Sequence, residues 1–113
     1  MTGAGVEWIV DAHGCRPERL SDEAALRALA RRIVRDLELH VLDERWHQFP
    51  SPNGVTGLLL LAESHLACHT YPETGLATFN LYCCRERADW PWAARLGELL
   101  GAARVIVRRE ARG

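Results

Sequence analysis

Hydrophobic and polar residues alternate along most of this chain with the two-residue period that is typical of β-strands. The alternation predicts six strands, at residues 6–12, 39–46, 55–62, 65–71, 76–84 and 105–107. Residues 49–54 and 72–75, rich in proline and glycine, are predicted to be turns between them. The segment 55–62 is almost continuously apolar, which favours a strand buried on both faces.

Two segments have the three-to-four-residue spacing of an amphipathic helix. The first is predicted over residues 22–36, with Ser21 as its N-cap, and the second runs from an N-cap at Asp89 to Gly101. Their apolar positions are Leu26, Leu29, Ile33 and Leu37, and then Trp92, Leu96, Leu99 and Leu100. The order of elements predicts an α+β fold, a two-layer sandwich in which helices cover one face of a largely antiparallel sheet.

Length and composition limit what kind of protein this is. The chain has 113 residues, 48% of them hydrophobic and 26% charged, with a formal net charge of −1. These values predict a single folded domain over residues 1–113 and argue against a nucleic-acid partner. The C-terminal arginines, Arg104, Arg108, Arg109 and Arg112, are predicted to form a solvated tail.

The sequence contains neither a membrane-spanning run nor a signal-peptide pattern, so we expect a cytoplasmic protein without a membrane partner. In a reducing compartment the four cysteines would be free thiols, metal ligands or catalytic groups. The chain has fourteen arginines and no lysine. Cofactor chemistry that requires a lysine Schiff base is therefore excluded.

The segment around Ser64 is the main candidate for chemistry. Ser64 follows Glu63 at the predicted end of a strand, where its hydroxyl can attack the preceding carbonyl and convert the amide to an ester. A base that removes the Ser64 α-proton would then eliminate the ester, and hydrolysis would leave a pyruvoyl group. His69 lies close enough along the chain to be that base.

Strand alternation predicts on which face of the sheet each of the other candidate residues lies. His65, His69 and Tyr71 share one face of their strand, as the wall of a pocket or as structural histidines. Cys84 lies on the polar face of the next strand, whereas Cys83 is predicted to be a core residue.

A zinc site is the rival interpretation. It would use His65, Cys68, His69, Cys83 and Cys84. These ligand types suit zinc, but the spacing lacks a Cys-x-x-Cys pair, and the alternation separates the two adjacent cysteines. We therefore expect no metal.

Several motifs at matching spacings resemble one known family. They are Cys15-Arg16-Pro17-Glu18-Arg19-Leu20, His47-Gln48-Phe49, Gly54-Val55-Thr56-Gly57, Glu63-Ser64-His65, His69-Thr70, Pro72-Glu73, Gly75 and Cys84. Together they resemble the small bacterial and archaeal S-adenosylmethionine decarboxylase proenzymes, which are pyruvoyl-dependent, and the likeness extends over nearly the whole chain.

The resemblance implies a role for each motif. Cleavage at Glu63–Ser64 would give a β chain of residues 1–63 and an α chain of residues 64–113 that begins with the pyruvoyl group, to whose carbonyl the substrate amine binds. His69 would act in processing with help from the Thr56 hydroxyl, and Cys84 would be the proton donor in decarboxylation. The product would be the aminopropyl donor for spermidine biosynthesis.

The resemblance also implies substrate contacts and an assembly. Phe49 would stack on the adenine, Glu73 would bind the ribose hydroxyls, and Tyr71 and Asn80 would complete the substrate site. The processed αβ protomers would form a homodimer with both sites near the interface.

The chain departs from the family pattern at several of these contacts. Tyr71 replaces tryptophan, Asn80 replaces aspartate, and Thr74, Leu76 and Arg85 are also unusual. The changes motivate one alternative, in which the same pyruvoyl machinery decarboxylates arginine or ornithine. A second alternative, of another class, is an unprocessed regulatory or metal-binding paralogue.

Overall fold

The structure, a computed structural model, describes residues 4–113 and consists of one sheet with three helices. The strands are β1 (Gly5–His13), β2 (Val41–Gln48), β3 (Val55–Leu61), β4 (Ser64–Tyr71), β5 (Leu76–Cys83) and β6 (Arg104–Arg112). The helices are α1 (Pro17–Leu20), α2 (Glu23–Asp36) and α3 (Trp92–Leu100). The strand order is β2-β3-β4-β5-β1-β6, and every neighbouring pair is antiparallel. The predicted α+β sandwich is confirmed.

The helices cover only one face of the sheet. On that face α2 packs its Leu26 and Ile33 over Leu59 and Leu66, and the Trp92 ring of α3 lies 5.9 Å from the Phe79 ring. The opposite face, here called the open face, has no layer over it within residues 4–113. Its central part consists of Thr56, Leu58 and Leu60 of β3, His65, Ala67 and His69 of β4, and Thr78, Asn80 and Tyr82 of β5.

The open face corrects one prediction about β3. Its alternate residues are buried, but Leu58 and Leu60 are 51% and 54% exposed, so the strand is not buried on both faces. The apolar run favoured burial of both faces, but within residues 4–113 no layer covers the side of β3 that carries these two leucines.

Both predicted N-caps were wrong. The side chain of Asp22, not of Ser21, caps α2 by accepting a hydrogen bond from Ala25 N–H at 3.1 Å. Ser21 instead ends the short helix α1, which the sequence pattern did not predict. Helix α3 has Pro91 at its N-cap, and Asp89 is used elsewhere, accepting a hydrogen bond from Trp8 Nε1 at 2.9 Å. Gly101, with φ of +70°, ends α3 as predicted.

The C-terminal arginines are exposed, as predicted, but they lie on the edge strand β6 and do not form a tail. Arg109 lies 2.7 Å from Glu86, Arg108 lies 3.5 Å from Asp11, and Arg112 pairs with Glu7. In these ion pairs, acidic side chains of the same chain balance the positive charge of the arginines. None of the helices in residues 4–113 has the length and apolar character needed to span a membrane.

Candidate active site

Ser64 is the first residue after the tight turn between β3 and β4. Leu61 pairs with Ser64 across the hairpin, so only Ala62 and Glu63 form the turn. Ser64 has a φ of +148°, a conformation that L-residues rarely adopt. A backbone conformation of this kind costs on the order of 1–3 kcal/mol. The Glu63–Ser64 bond is therefore followed by a strained residue whose side chain carries a nucleophile.

The carbonyl oxygen of Glu63 accepts a hydrogen bond from the backbone N–H of Cys84 at 2.8 Å. The two segments meet because Ser64 pairs with Cys83 at the end of β5. An N–H in this position polarises the carbonyl and stabilises negative charge on its oxygen. The turn therefore has both a nucleophile and a donor for the developing oxyanion.

The cysteines near this turn differ in accessibility. Cys84 is exposed, while Cys83 and Cys68 are buried in the core. Burial raises the pKa of each of these two thiols to about 11. The prediction that Cys83 is a core residue is confirmed, and Cys84 is the accessible thiol beside the Glu63–Ser64 bond.

The side chain of His65 contacts the Ser64 hydroxyl, with Nδ1 3.0 Å from Oγ. Its ring lies 5.7 Å from that of Tyr82 on β5. The sequence pattern indicated a pocket wall, a zinc set or the Glu63-Ser64-His65 motif for His65 and gave no indication of this contact. The signal available was its position directly after the serine.

The carboxylate of Glu63 is held from two other elements. The backbone N–H of His40 donates to it at 3.0 Å, His40 Nδ1 lies at 2.7 Å, and the Arg87 guanidinium at 3.5 Å. Burial acts to raise the pKa of Glu63, but the hydrogen bonds from His40 outweigh it, so the pKa is lowered. These contacts fix the acyl side of the bond. We call Glu63, Ser64, His65 and Cys84 the serine cluster.

A second cluster lies at the other end of β4, around His69. His69 Nδ1 is 2.5 Å from Thr56 Oγ1 on β3, and its ring centroid lies 4.5 Å from that of Tyr71 and 5.7 Å from that of Phe49. We call Phe49, Thr56, His69, Tyr71 and Glu73 the histidine pocket. Next to it is a cavity of about 220 Å³ lined by Phe49, Pro52, Gly54, His69, Thr70, Tyr71 and Glu73.

The two clusters are too far apart to act together within one chain. Ser64 and His69 are five residues apart on the same strand, which corresponds to about 16 Å at about 3.3 Å per residue. The expectation that His69 is close to Ser64 because it is near in sequence was therefore wrong. An extended strand separates residues that a helix or loop could bring together.

Asn80 lies between the clusters on the open face, opposite Ala67. Its Nδ2 donates to Glu7 Oε2 of β1 at 3.3 Å. The carboxylate of Glu7 therefore lies beside Asn80, although Asn80 itself is not acidic. Arg112 pairs with the same carboxylate.

The structure separates the five residues of the zinc interpretation. Cys68 and Cys83 are buried on the core face, whereas His65 and His69 lie on the open face. Residues on opposite faces of a sheet cannot surround one ion. Within residues 4–113, no three histidine, cysteine or acidic side chains are grouped to hold a metal.

Comparison with known proteins gives a consistent match. The S-adenosylmethionine decarboxylase family matches residues 6–113. An S-adenosylmethionine decarboxylase proenzyme from Caldicellulosiruptor saccharolyticus is 32% identical over 115 aligned residues, covering 100% of this chain and 91% of that protein. A proenzyme of the same name from Pyrococcus furiosus is 36% identical over 79% of this chain, and the match spans 63% of its length, less than two thirds.

A solved structure agrees in fold. The crystal structure of the adenosylmethionine decarboxylase from Aquifex aeolicus matches with a TM-score of 0.81 and 29% sequence identity, covering 100% of this chain and 93% of that one.

Proposed function

The chain belongs to the S-adenosylmethionine decarboxylase family, and we propose that it is a pyruvoyl-dependent decarboxylase of S-adenosylmethionine that cleaves itself between Glu63 and Ser64. Its product would be the aminopropyl donor for spermidine synthesis. The observation that carries the proposal is the strained Ser64 whose preceding carbonyl accepts the Cys84 N–H.

The serine cluster suits the first step of self-cleavage. Ser64 Oγ attacks the Glu63 carbonyl carbon, the Cys84 N–H stabilises the oxyanion, and the C–N bond breaks as the nitrogen takes up a proton. The product is an ester of Glu63 on Ser64. Breaking the amide releases the backbone strain at Ser64, which favours the ester.

The second step needs a base at the Ser64 α-carbon. Removal of the α-proton expels the Glu63 carboxylate, which ends the β chain at residue 63 and leaves a dehydroalanine at residue 64. Water then replaces the nitrogen, which leaves as ammonia, and the α chain begins with a pyruvoyl group. The group would be formed from Ser64 itself, without an added cofactor.

We assign the proton transfers of decarboxylation to Cys84. The pyruvoyl group supplies a carbonyl that takes the substrate amine and accepts the electrons that CO2 leaves behind. The Cys84 thiol, exposed beside residue 64, can give a proton to the substrate carbon that has lost CO2. The buried thiols of Cys68 and Cys83, with their raised pKa, are unsuited to this role.

The base for the second step would come from a second copy of the chain. His69 of the same chain is about 16 Å away, on the estimate of about 3.3 Å per strand residue. The two clusters lie at opposite ends of β4, on either side of the small Ala67. A two-fold axis near Ala67 would bring the partner subunit's His69 to Ser64, and the reverse contact would form at the same time.

Two further features support such a dimer. Leu58 and Leu60, both about half exposed, lie on the open face beside Ala67 and would be covered by the second copy. Thr56 fixes the His69 ring, and a bond in which Nδ1–H donates to the hydroxyl leaves Nε2 free to accept a proton. The histidine pocket would thus complete the partner's serine cluster.

The histidine pocket suits an adenosyl group. Phe49 and Tyr71 are 41% and 37% exposed and could present ring faces to an adenine, while Glu73 could accept hydrogen bonds from the ribose hydroxyls. Asn80 and Glu7 would lie nearer the reacting end, where the carboxylate favours a sulfonium. No observation favours arginine or ornithine, which lack a flat ring for this aromatic wall.

Denaturing mass measurement of the purified protein tests self-cleavage. We expect two fragments, residues 1–63 and 64–113, the second with a blocked pyruvoyl terminus. Ser64→Ala should remain a single chain. An intact wild-type chain would instead support an unprocessed paralogue.

Release of labelled CO2 by the cleaved protein tests the substrate. We expect activity with S-adenosylmethionine and none with arginine or ornithine. The opposite result would leave self-cleavage standing and overturn the substrate assignment.

A further inference from the structure

We propose that His65 is the base that activates the Ser64 hydroxyl in the first step of self-cleavage. The inference rests on the self-cleavage proposed above and assigns a residue to a proton transfer that His69 does not explain. The observation behind it is the contact of 3.0 Å between His65 Nδ1 and Ser64 Oγ. In the tautomer with its proton on Nε2, the ring accepts the hydroxyl hydrogen at Nδ1.

Self-cleavage moves two protons from different atoms. The hydroxyl proton leaves Oγ in the first step, and the α-proton leaves the carbon in the second. His69 Nδ1 is already bonded to Thr56, and its ring lies at the far end of β4 from the Ser64 of its own chain. His65 is therefore the ring positioned for the hydroxyl before any second copy arrives.

The neighbours of His65 keep its ring on the correct side of the strand. His65 is on the open face, paired in register with Leu60 of β3 and Tyr82 of β5. The Tyr82 ring lies 5.7 Å away and limits the space on one side. The side chain is otherwise exposed to solvent.

The step balances with one imidazole and no other reactant. The hydroxyl proton passes from Oγ to His65 Nδ1 while the bond forms between Oγ and the Glu63 carbonyl carbon. The bond between that carbon and the Ser64 nitrogen then breaks, and the proton passes from His65 to the nitrogen. The Cys84 N–H holds the oxyanion between the two transfers. The net change is amide to ester, without gain or loss of protons.

The first step can be measured alone in a His69→Ala background, in which the second step is blocked. Hydroxylamine cleaves an ester but leaves an ordinary amide intact, so the rate of fragment formation in hydroxylamine reports formation of the ester. Adding His65→Gln, which retains polarity but provides no base, should slow this rate roughly 100-fold, the usual contribution of a general base. His13→Gln, at the far end of β1, is the matched control and should leave the rate unchanged.

Chemical rescue with imidazole distinguishes a residue that acts as a base from one that only maintains the structure. His65→Ala should form ester slowly, and added imidazole should restore part of the rate in proportion to its concentration. A residue that only shaped the turn would not be replaced by free imidazole. Thermal unfolding and circular dichroism of each variant check that the fold is retained.

The outcomes distinguish this inference from the self-cleavage proposal. If His65→Gln forms ester at the rate of its parent, or imidazole has no effect on His65→Ala, His65 is not the base although self-cleavage stands. If wild-type protein gives no fragments at Glu63–Ser64, the proposed self-cleavage itself fails. If His69→Ala yields no hydroxylamine-sensitive ester, the same 100-fold comparison is made on spontaneous cleavage of wild type and His65→Gln.

Discussion

The serine cluster and the histidine pocket lie at the two ends of the same strand and are assembled in different ways. The serine cluster depends on neighbours in sequence: Glu63, Ser64 and His65 are consecutive, and only Cys84, directly after β5, is distant in sequence. The histidine pocket depends on neighbours across the sheet, since Thr56 and Phe49 reach His69 from β3 and the loop before it. In the proposed reaction, the serine cluster provides the nucleophile, and the histidine pocket provides the imidazole assigned to the α-proton.

In the proposed reaction, each chain would hold two halves of a site. Strand β4 keeps the halves apart because an extended strand is rigid and long for its number of residues. A second copy of the chain, related by a two-fold axis, would bring a serine cluster and a histidine pocket together at two equivalent places. No additional residues would be needed. Variants of either cluster can test this division.

Complementation between two inactive variants should give the largest effect. Ser64→Ala and His69→Ala should each remain uncut when expressed alone. In mixed dimers the Ser64→Ala chain supplies its His69 to the partner, so the His69→Ala chain should be cleaved while the Ser64→Ala chain stays intact. Intact mass spectrometry distinguishes the two chains. Absence of fragments from the mixture would show that the halves do not combine in this way.

Cys84→Ser should separate the two chemistries of the serine cluster. The backbone N–H that holds the Glu63 carbonyl is retained, so we expect near-normal cleavage. Decarboxylation should fall by roughly 10²–10⁴-fold, because a serine hydroxyl is a much weaker acid than a thiol. The readouts are fragment yield and CO2 release per cleaved chain. Cys68→Ala, a buried cysteine on the same sheet, should retain activity per cleaved chain, and equal losses in both variants would contradict the assignment.

Thr56→Val tests the histidine pocket with an almost isosteric change. It removes the hydroxyl that contacts His69 Nδ1, and a hydrogen bond of about 1 kcal/mol corresponds to cleavage slower by roughly 5-fold. The rate of fragment appearance after synthesis measures the effect. Thr78→Val is the matched control, since its hydroxyl donates to the His69 carbonyl at 3.4 Å and does not contact the ring. A similar rate in both variants would mean that the Thr56 contact is not required.

Acid should weaken the contacts of Glu63, with the smallest effect of the series. The folded-state pKa of Glu63 is lowered below its ordinary 4.5, so its contribution to stability is fully present above pH 4.5 and is lost as the pH falls through the folded value. In uncut Ser64→Ala protein, adding Glu63→Gln should reduce the free energy of unfolding at pH 7 more than at pH 3. Urea titrations at the two pH values measure the difference. Glu86→Gln, at an exposed ion pair, should change stability by less than about 1 kcal/mol at both.

The sequence predicted most elements but missed details that depend on competition between neighbours. Ser21 and Asp22 are both good N-caps, and only the formation of α1 assigns Ser21 to the end of one helix and Asp22 to the start of the next. Asp89 was a plausible cap until the fold brought Trp8 to it from a strand 81 residues away. Contacts between residues that are far apart in the chain leave no pattern in the local sequence.

In the candidate site too, the sequence predicted some features and missed those that depend on distant contacts. The Glu-Ser-His triplet and Cys84 were recognisable from residue type and spacing, and the structure places them together. The contacts of Glu63 with His40 and Arg87, 23 and 24 positions away in sequence, had no detectable signal. The error over His69 arose because nearness in sequence was read as nearness in space.

The sequence by itself determined the chemical groups of this protein and their order, because a nucleophile, an imidazole and a thiol are properties of individual residues. It also determined the strands, since alternation is a local pattern. Only the tertiary structure decided which face of the sheet is uncovered within residues 4–113, that Ser64 is strained, and that His69 lies out of reach of the serine in its own chain. Those properties depend on distances between strands and layers, which are set by packing of the whole chain.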